Sequence, residues 1–278
     1  MNKRSTRVRP QLDDKILLSW NALAVGSYCR MFAALGDEAF LERAVKTMEF
    51  LLKQFRAGHM FCHTYKNGEA RQPAFLDDYA YLIQSLILLQ EVSSDAGYLQ
   101  TARELTELVI REFGEEETGF FFYTHANQQD VILRKKEIYD GAVPSGNAVM
   151  ALNLYQLAII FDNRSWEERA MTMMSAMQQT VTRHPGSFGI WASFGQSLAH
   201  GIPEIALVGE NFKKRQSEFL RTFIPLKIFQ SATHPNEQFP LLAGKPHTPV
   251  PQFYLCKQYS CQNPVTETSG LIRLLEAV

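Results

Sequence analysis

Three acidic clusters are the places where this chain could move protons or hold hydroxyl groups. Asp13-Asp14-Lys15 is followed by Trp20-Asn21, Asp77-Asp78 by Tyr79, and Glu137-Ile138-Tyr139-Asp140 by Ser145-Gly146-Asn147. The clusters recur roughly every 63 residues, above the usual periods of solenoid repeats. Each precedes an apolar run with helical spacing, so two readings compete. An Asp or Ser at a helix start can cap free backbone N–H groups and complement the positive end of the helix dipole. A pair of adjacent carboxylates exceeds what one cap needs, and Asp14, Asp77, Asp78 or Asp140 could then act as general acid or base. Trp20, Tyr79 and Tyr139 could stack on a sugar ring. Asn21, Ser145 and Asn147 could bind its hydroxyls. Gly146 leaves the rim free of a side chain beside them.

The histidines add two candidates. His63 and His125 lie in corresponding long links and are placed with the substrate-binding residues. No HExxH or comparable ligand pair occurs, so neither a metal nor another cofactor is expected. The segment around Pro144-Ser145-Gly146-Asn147 lacks the Gly-Lys-Ser/Thr ending of a phosphate loop. Of the four cysteines, Cys256 and Cys261 are too widely spaced for a redox CxxC and lack a second pair for zinc. They read as buried or free thiols.

The elements that must position these groups are mostly helical. Apolar residues at helical spacing predict helices over residues 16–35, 38–55, from 77 to about 92, 96–113, from 145 to about 161, 165–183 and 187–200. Short polar links join them in pairs. Long links separate the pairs; the first carries Asn67-Gly68, a hairpin signal. The second is strand-like at 120–123 and 131–133. Antiparallel hairpins with short links at one end place the long links, and all three acidic clusters, at the other. From about residue 203 the texture changes. Residues 204–208, 226–230 and 253–256 read as strands, 212–221 and 269–276 as helices, and 245–252 as a loop. The expected organisation is a helical-hairpin domain, 1–202, with a small α/β appendix, 203–278.

Bulk properties narrow the function. The net charge is −1 among 278 residues, with no basic block, which argues against nucleic-acid binding. No run of eighteen apolar residues suggests a membrane span, and the basic N-terminus lacks the apolar core of a secretory signal. Four scattered cysteines make a reducing cytoplasm the default expectation.

Three segments carry a family likeness: RPQLDDKILLSWNAL, FLDDYAYLIQSLILL and YDGAVPSGNAVMALNLYQLA. They resemble the C-terminal half of the spermatogenesis-associated, thioredoxin-domain-containing protein family, and the likeness runs on into the tail YLCKQYSCQNPVTE. It implies a mainly α fold, an (α/α) toroid similar to N-acylglucosamine 2-epimerases and six-hairpin glycosidases, with its site at the N-terminal rim of the inner helices. Seven helices fall short of the twelve in a six-hairpin ring, so an incomplete toroid is expected. The resemblance implies a carbohydrate-related protein, epimerase-like or glycosidase-like, with a sugar or sugar derivative as ligand. The rival reading is a non-catalytic module whose open helical end docks a thioredoxin-like partner or a second copy.

Overall fold

The computed structural model describes residues 2–10, 12–128, 131–258 and 260–276. Gln11 and Tyr259, which fall within the sequence segments just quoted, lie outside them. After a single turn, α1 (Asn2–Ser5), and a short strand, β1 (Ile16–Leu17), the chain forms three antiparallel helical hairpins. They are α2 (Leu18–Leu35) with α3 (Glu38–Gln54), α4 (Leu76–Ser93) with α5 (Gly97–Phe113), and α6 (Gly146–Phe161) with α7 (Arg164–Arg183). A shorter helix, α8 (Gly189–His200), closes on α7 and α6.

Each hairpin pairs two chemically different helices. α4 and α6 are apolar almost all round and bury most of their side chains, so they sit inside. α3, α5 and α7 are one-sided. In α7 the buried residues are Trp166, Ala170, Met173, Met177 and Val181, a stripe at three- and four-residue spacing. α2 packs on α4, and α4 on α6, giving a row of parallel inner helices backed by outer ones.

The short links turn where the sequence predicts. Gly36 is left-handed at φ 71°, and Asp37 then accepts the Ala39 N–H at 3.0 Å to cap α3. Ser94 and Asp162 take the same left-handed conformation, and Asn163 caps α7 through the Trp166 N–H. The first long link is the expected hairpin. β2 (Arg56–Ala57), β3 (Met60–Lys66) and β4 (Glu69–Pro73) form it, turning at Asn67 and Gly68 with φ 52° and 83°. β1 adds on the other edge of β3, pairing Ile16 with Tyr65 and Leu17 with Thr64.

Two expectations fail in informative ways. Residues 120–123 and 131–133 are not strands; only an isolated bridge joins Gly114 and Phe121. Side chains take the place of a partner strand there. Asn147 brackets the Phe121 N–H and carbonyl, Arg134 reaches the Thr124 carbonyl, and Arg169 serves the Gly119 and Phe120 carbonyls. Cys256 and Cys261 form a disulfide rather than standing as separate thiols. They are directly opposed across β7 (Gln252–Lys257) and β8 (Ser260–Cys261), a register that two-residue spacing rules do not anticipate. Cys29 and Cys62 are free and buried.

The C-terminal segment contains β5 (Glu204–Val208), α9 (Lys213–Leu220) and β6 (Ile228–Ala232), then β7, β8 and α10 (Thr268–Glu276). β5 and β6 are parallel and β7 runs antiparallel on the other side of β5, giving the order β6-β5-β7-β8. β5 is buried throughout: residues 205–208 supply the apolar run of a central strand, and the covered Glu204 accepts the Gln258 N–H. This sheet unit is tied to the C-terminal end of α4. Gln216 Nε2 donates to the Glu91 and Val92 carbonyls, and Lys227 pairs with Glu91 at 2.6 Å with both side chains largely covered. Among the described residues no helix is long and apolar enough to cross a membrane.

Gln216→Ala strips donors from two helix-end carbonyls at this junction. It is expected to cost about 2 kcal/mol in urea-denaturation stability, with the loss reported equally by helix circular dichroism and by the tryptophans of the hairpin unit.

Candidate functional site

The long links do converge on the N-terminal ends of the inner helices. The organising group there is Asp78, in the first turn of α4 and fully buried. Phe75, the residue before α4, offers no oxygen for capping, so the cap runs in reverse: Asp78 Oδ2 accepts the Phe75 N–H at 2.9 Å. Asp78 Oδ1 accepts the Ser19 N–H from the first turn of α2 at 3.0 Å. The carboxylate also takes the Nδ1–H of His63 from β3, at 2.8 Å to Oδ2. The hydrogen bond to Asp78 is the main reason the His63 imidazole is held above its ordinary pKa; partial burial opposes it.

Asp77, one residue earlier, is in a different position. It is partly buried and receives the Gly146 N–H from the start of α6. A Cβ at residue 146 would collide with Asp77 Oδ1, so the α4–α6 contact requires glycine here. Burial, reinforced by the negative charges of Asp78 and Glu137, pushes the Asp77 carboxyl up to about 7. It is a carboxylic acid that holds its proton up to neutral pH. Phe75 and Tyr123 stack beside it with centroids 4.9 Å apart, and His63 meets the edge of Phe75 at 5.0 Å. Burial also pushes the Tyr123 and Tyr81 phenols upward, and Tyr81 donates to the Pro144 carbonyl.

The other sequence candidates divide into two groups. Some are structural. Asp140 uses both oxygens on backbone, accepting the Ser145 N–H at 2.8 Å and the Ile190 N–H in the first turn of α8 at 2.9 Å. Ser145 caps α6, as its position suggests, and its hydroxyl donates to the Glu137 carbonyl. Asn147 is fully buried with both amide ends committed to the Phe121 and Glu137 backbone, which rules out the hydroxyl-binding role expected of it. Tyr79 lies in the core, its hydroxyl accepting the Phe61 N–H; it is not a stacking platform.

The remaining candidates sit apart from Asp77, Asp78 and His63. Asp14 is not at a helix start, because β1 intervenes. It is exposed and ion-paired with Lys66, whose hydrogen bond lowers its pKa. His125 packs against Phe113, with its Nδ1 accepting the Asn127 N–H. Tyr139 is exposed, edge-on to Phe188. Trp20, 63% exposed, and Asn21 line a cavity of about 590 Å³ between α2 and α3, together with Lys15, Arg43 and Phe50. That cavity does not include His63 or Asp77. Tyr123 is the site neighbour that the sequence does not single out. Its one signal is position, in the long link facing the acidic pair. Among the described residues no His, Cys, Asp and Glu cluster could hold a metal.

Parallel inner helices backed by outer ones, with polar groups gathered at the inner N-terminal rim, define an (α/α) toroid. The solved structures bear this out at the level of fold: cellobiose 2-epimerase from Bacillus thermoamylovorans matches with a TM-score of 0.50 and 10% identity, over 60% of this chain and 46% of that one. Cellobiose 2-epimerase from Spirochaeta thermophila matches with 0.50 and 12%, over 64% and 47%. In sequence, the chain is a homologue of human spermatogenesis-associated protein 20, 26% identical across 98% of this chain, and it spans 37% of that protein's length. No protein-family model matches it.

The two shifted groups both make stability fall with rising pH. Asp77, raised above its unfolded value of 3.8, weakens the fold progressively from about pH 4 up to about pH 7. His63, raised above 6.5, contributes stability that is complete below that pH and is lost as pH climbs through its folded value. Asp77→Asn should therefore gain on the parent by on the order of 3 kcal/mol between pH 4 and pH 8, measured by urea melts at each pH. A gap that stays constant with pH would show that Asp77 titrates normally.

Proposed function

We propose that the rim of α4 is a carbohydrate-directed acid/base site, with Asp77 as the acid and His63, held by Asp78, as its partner base. The observation that carries this reading is the pairing of a carboxyl that keeps its proton near neutral pH with a carboxylate-held imidazole at the inner-helix rim. The Phe75–Tyr123 pair supplies an aromatic wall for the apolar face of a sugar ring.

Between an epimerase-like and a glycosidase-like reaction, the side chains favour the former. Inverting hydrolysis needs two free carboxyl groups flanking the scissile bond, and Asp140 and Asp78 have spent theirs on backbone N–H groups. Proton transfer next to a carbonyl needs one base and one acid. In an open-chain sugar, His63 would take the proton from the carbon beside the carbonyl while Asp77 donates to the carbonyl oxygen, giving an enediol. Return of a proton from His63 to carbon, with an enediol O–H proton passing back to Asp77, then yields the epimer (at C2) or the isomer (at C1). The similarity in fold to two cellobiose 2-epimerases is consistent with that choice.

A second reading rests on α2. Trp20, Met31 and Leu35 are exposed on a stripe about 60° wide, whereas the equivalent faces of α4 are buried. A non-catalytic module would use that stripe to dock another protein, either a thioredoxin-like domain or a second copy of this chain.

The two readings separate experimentally. With cellobiose, mannose and glucose in D₂O, the chain should exchange the proton at C2, seen by NMR. Asp77→Asn and His63→Gln should each slow exchange by roughly 100-fold or more with circular dichroism unchanged. Absence of exchange with every sugar would sink the acid/base reading. The docking reading predicts concentration-dependent association by sedimentation that Met31→Glu abolishes.

A further inference from the structure

At the opposite end of α4 from the rim, a second polar cavity of about 380 Å³ lies between the hairpins and the C-terminal sheet. We propose that it is a binding site for a small, neutral polyhydroxyl ligand of monosaccharide size, held by Gln230 and the residues at the C-terminal end of β6. This inference is independent of the rim site: the 18 residues of α4 put roughly 25 Å between them.

The first observation is an unsatisfied acceptor. Gln230 lines the cavity, is 1% exposed, and its Oε1 has no hydrogen-bond donor. A buried amide oxygen without a donor is costly, and a ligand hydroxyl or N–H placed there would remove that cost. The second observation is topological. The cavity opens where β6 ends, at Ala232, beside the parallel strand β5 and the helix α9 that connects them. Ligands of α/β sheets bind beyond the carboxyl ends of parallel strands, where loop residues can converge on them.

The lining then sets the ligand's chemistry. Amides from Gln90, Gln230 and Asn236 and hydroxyls from Ser231 and Thr233 present donors and acceptors at close spacing. Phe212 and Leu242 add apolar surface. His234, stacked on His247, is the one ionisable side chain in the lining. No Asp, Glu, Lys or Arg lines the cavity, so an ammonium group would enter without a counter-charge and a phosphate or carboxylate would meet a single imidazole. Alternating hydroxyl and C–H surface matches such a wall. Part of the frame is already braced: the Ser94 hydroxyl is engaged by Ser231 at 2.7 Å, by Gln216 and by Lys213. That leaves Gln230 as the group that lacks a partner.

Saturation-transfer NMR on the whole chain with D-glucose, D-mannose and N-acetyl-D-glucosamine tests the site, with adenosine as the flat, stackable comparison. Transfer to at least one sugar is expected. The affinity should fall roughly 10-fold in Gln230→Met, which keeps the side-chain length but loses the acceptor. Thr233→Val, at an exposed position, should weaken binding similarly and serves if Gln230→Met fails to fold. Asp77→Asn should leave this binding unchanged. The proposal is overturned by any of three results: no transfer from any of the sugars, a sugar affinity that both cavity variants leave unchanged in the Asp77→Asn background, or binding of adenosine alone. Sugar binding lost in Asp77→Asn but kept in Gln230→Met would place the ligand at the rim instead.

Discussion

Everything at the rim hangs on one buried carboxylate. Asp78 has no contact with solvent, yet it is satisfied by the Phe75 N–H, the Ser19 N–H and the His63 imidazole. These partners come from the start of α4, the start of α2 and strand β3. A single charge therefore caps one helix, pins a second beside it and orients the hairpin above both. A charge buried this deeply persists only because each lone-pair direction is used. That demand for partners fixes the arrangement more tightly than apolar packing would, since the contacts are directional.

The neighbouring Asp77 shows how one residue along a helix changes chemistry. Both carboxyls lie in the same turn, but the helical rotation of about 100° per residue turns Asp77 from the α2 side toward α6 and the second long link. There it meets the N–H of Gly146 and the field of Glu137 rather than a set of strong donors. The result is two adjacent carboxyls with different roles: Asp78 engaged in structure, and Asp77 inclined to keep its proton. Gly146 is part of this device, because any larger residue would displace the carboxyl from its seat. The second link contributes by being irregular. It is laced by Asn147, Arg134 and Arg169 rather than by strand pairing, so it can bring Tyr123 against Phe75.

The hairpin unit and the sheet unit meet at the far end of α4 through polar rather than apolar contacts. Gln216 serves helix-end carbonyls, Lys227 pairs with Glu91, and Ser231 meets Ser94. Helix ends carry unpaired carbonyls that must be satisfied wherever they are covered, and the sheet unit supplies those donors. Such a junction leaves polar crevices where the donors and acceptors do not fully match, and Gln230 lies in one of them.

Local chemistry alone determined a good deal of this molecule. Helical periodicity with Gly36, Ser94 and Asp162 as stops marked the hairpins, Asn67-Gly68 marked the turn of the first long link, and alternating link lengths put the acidic clusters toward one end. Those features depend on neighbours within a few residues, which the chain itself supplies. Which carboxylate is free was decided only by tertiary structure. Asp14, Asp78 and Asp140 look alike in sequence, but one is an exposed ion pair, one a buried knot and one a brace for α8. Tyr79 and Asn147 likewise appear as site residues until packing turns them inward. The disulfide between Cys256 and Cys261 depends on a strand register that no local pattern specifies. Whether a polar group does chemistry or holds the fold depends on the donors and charges around it. Those neighbours come from segments 15 to more than 60 residues away, and only the folded chain brings them within reach.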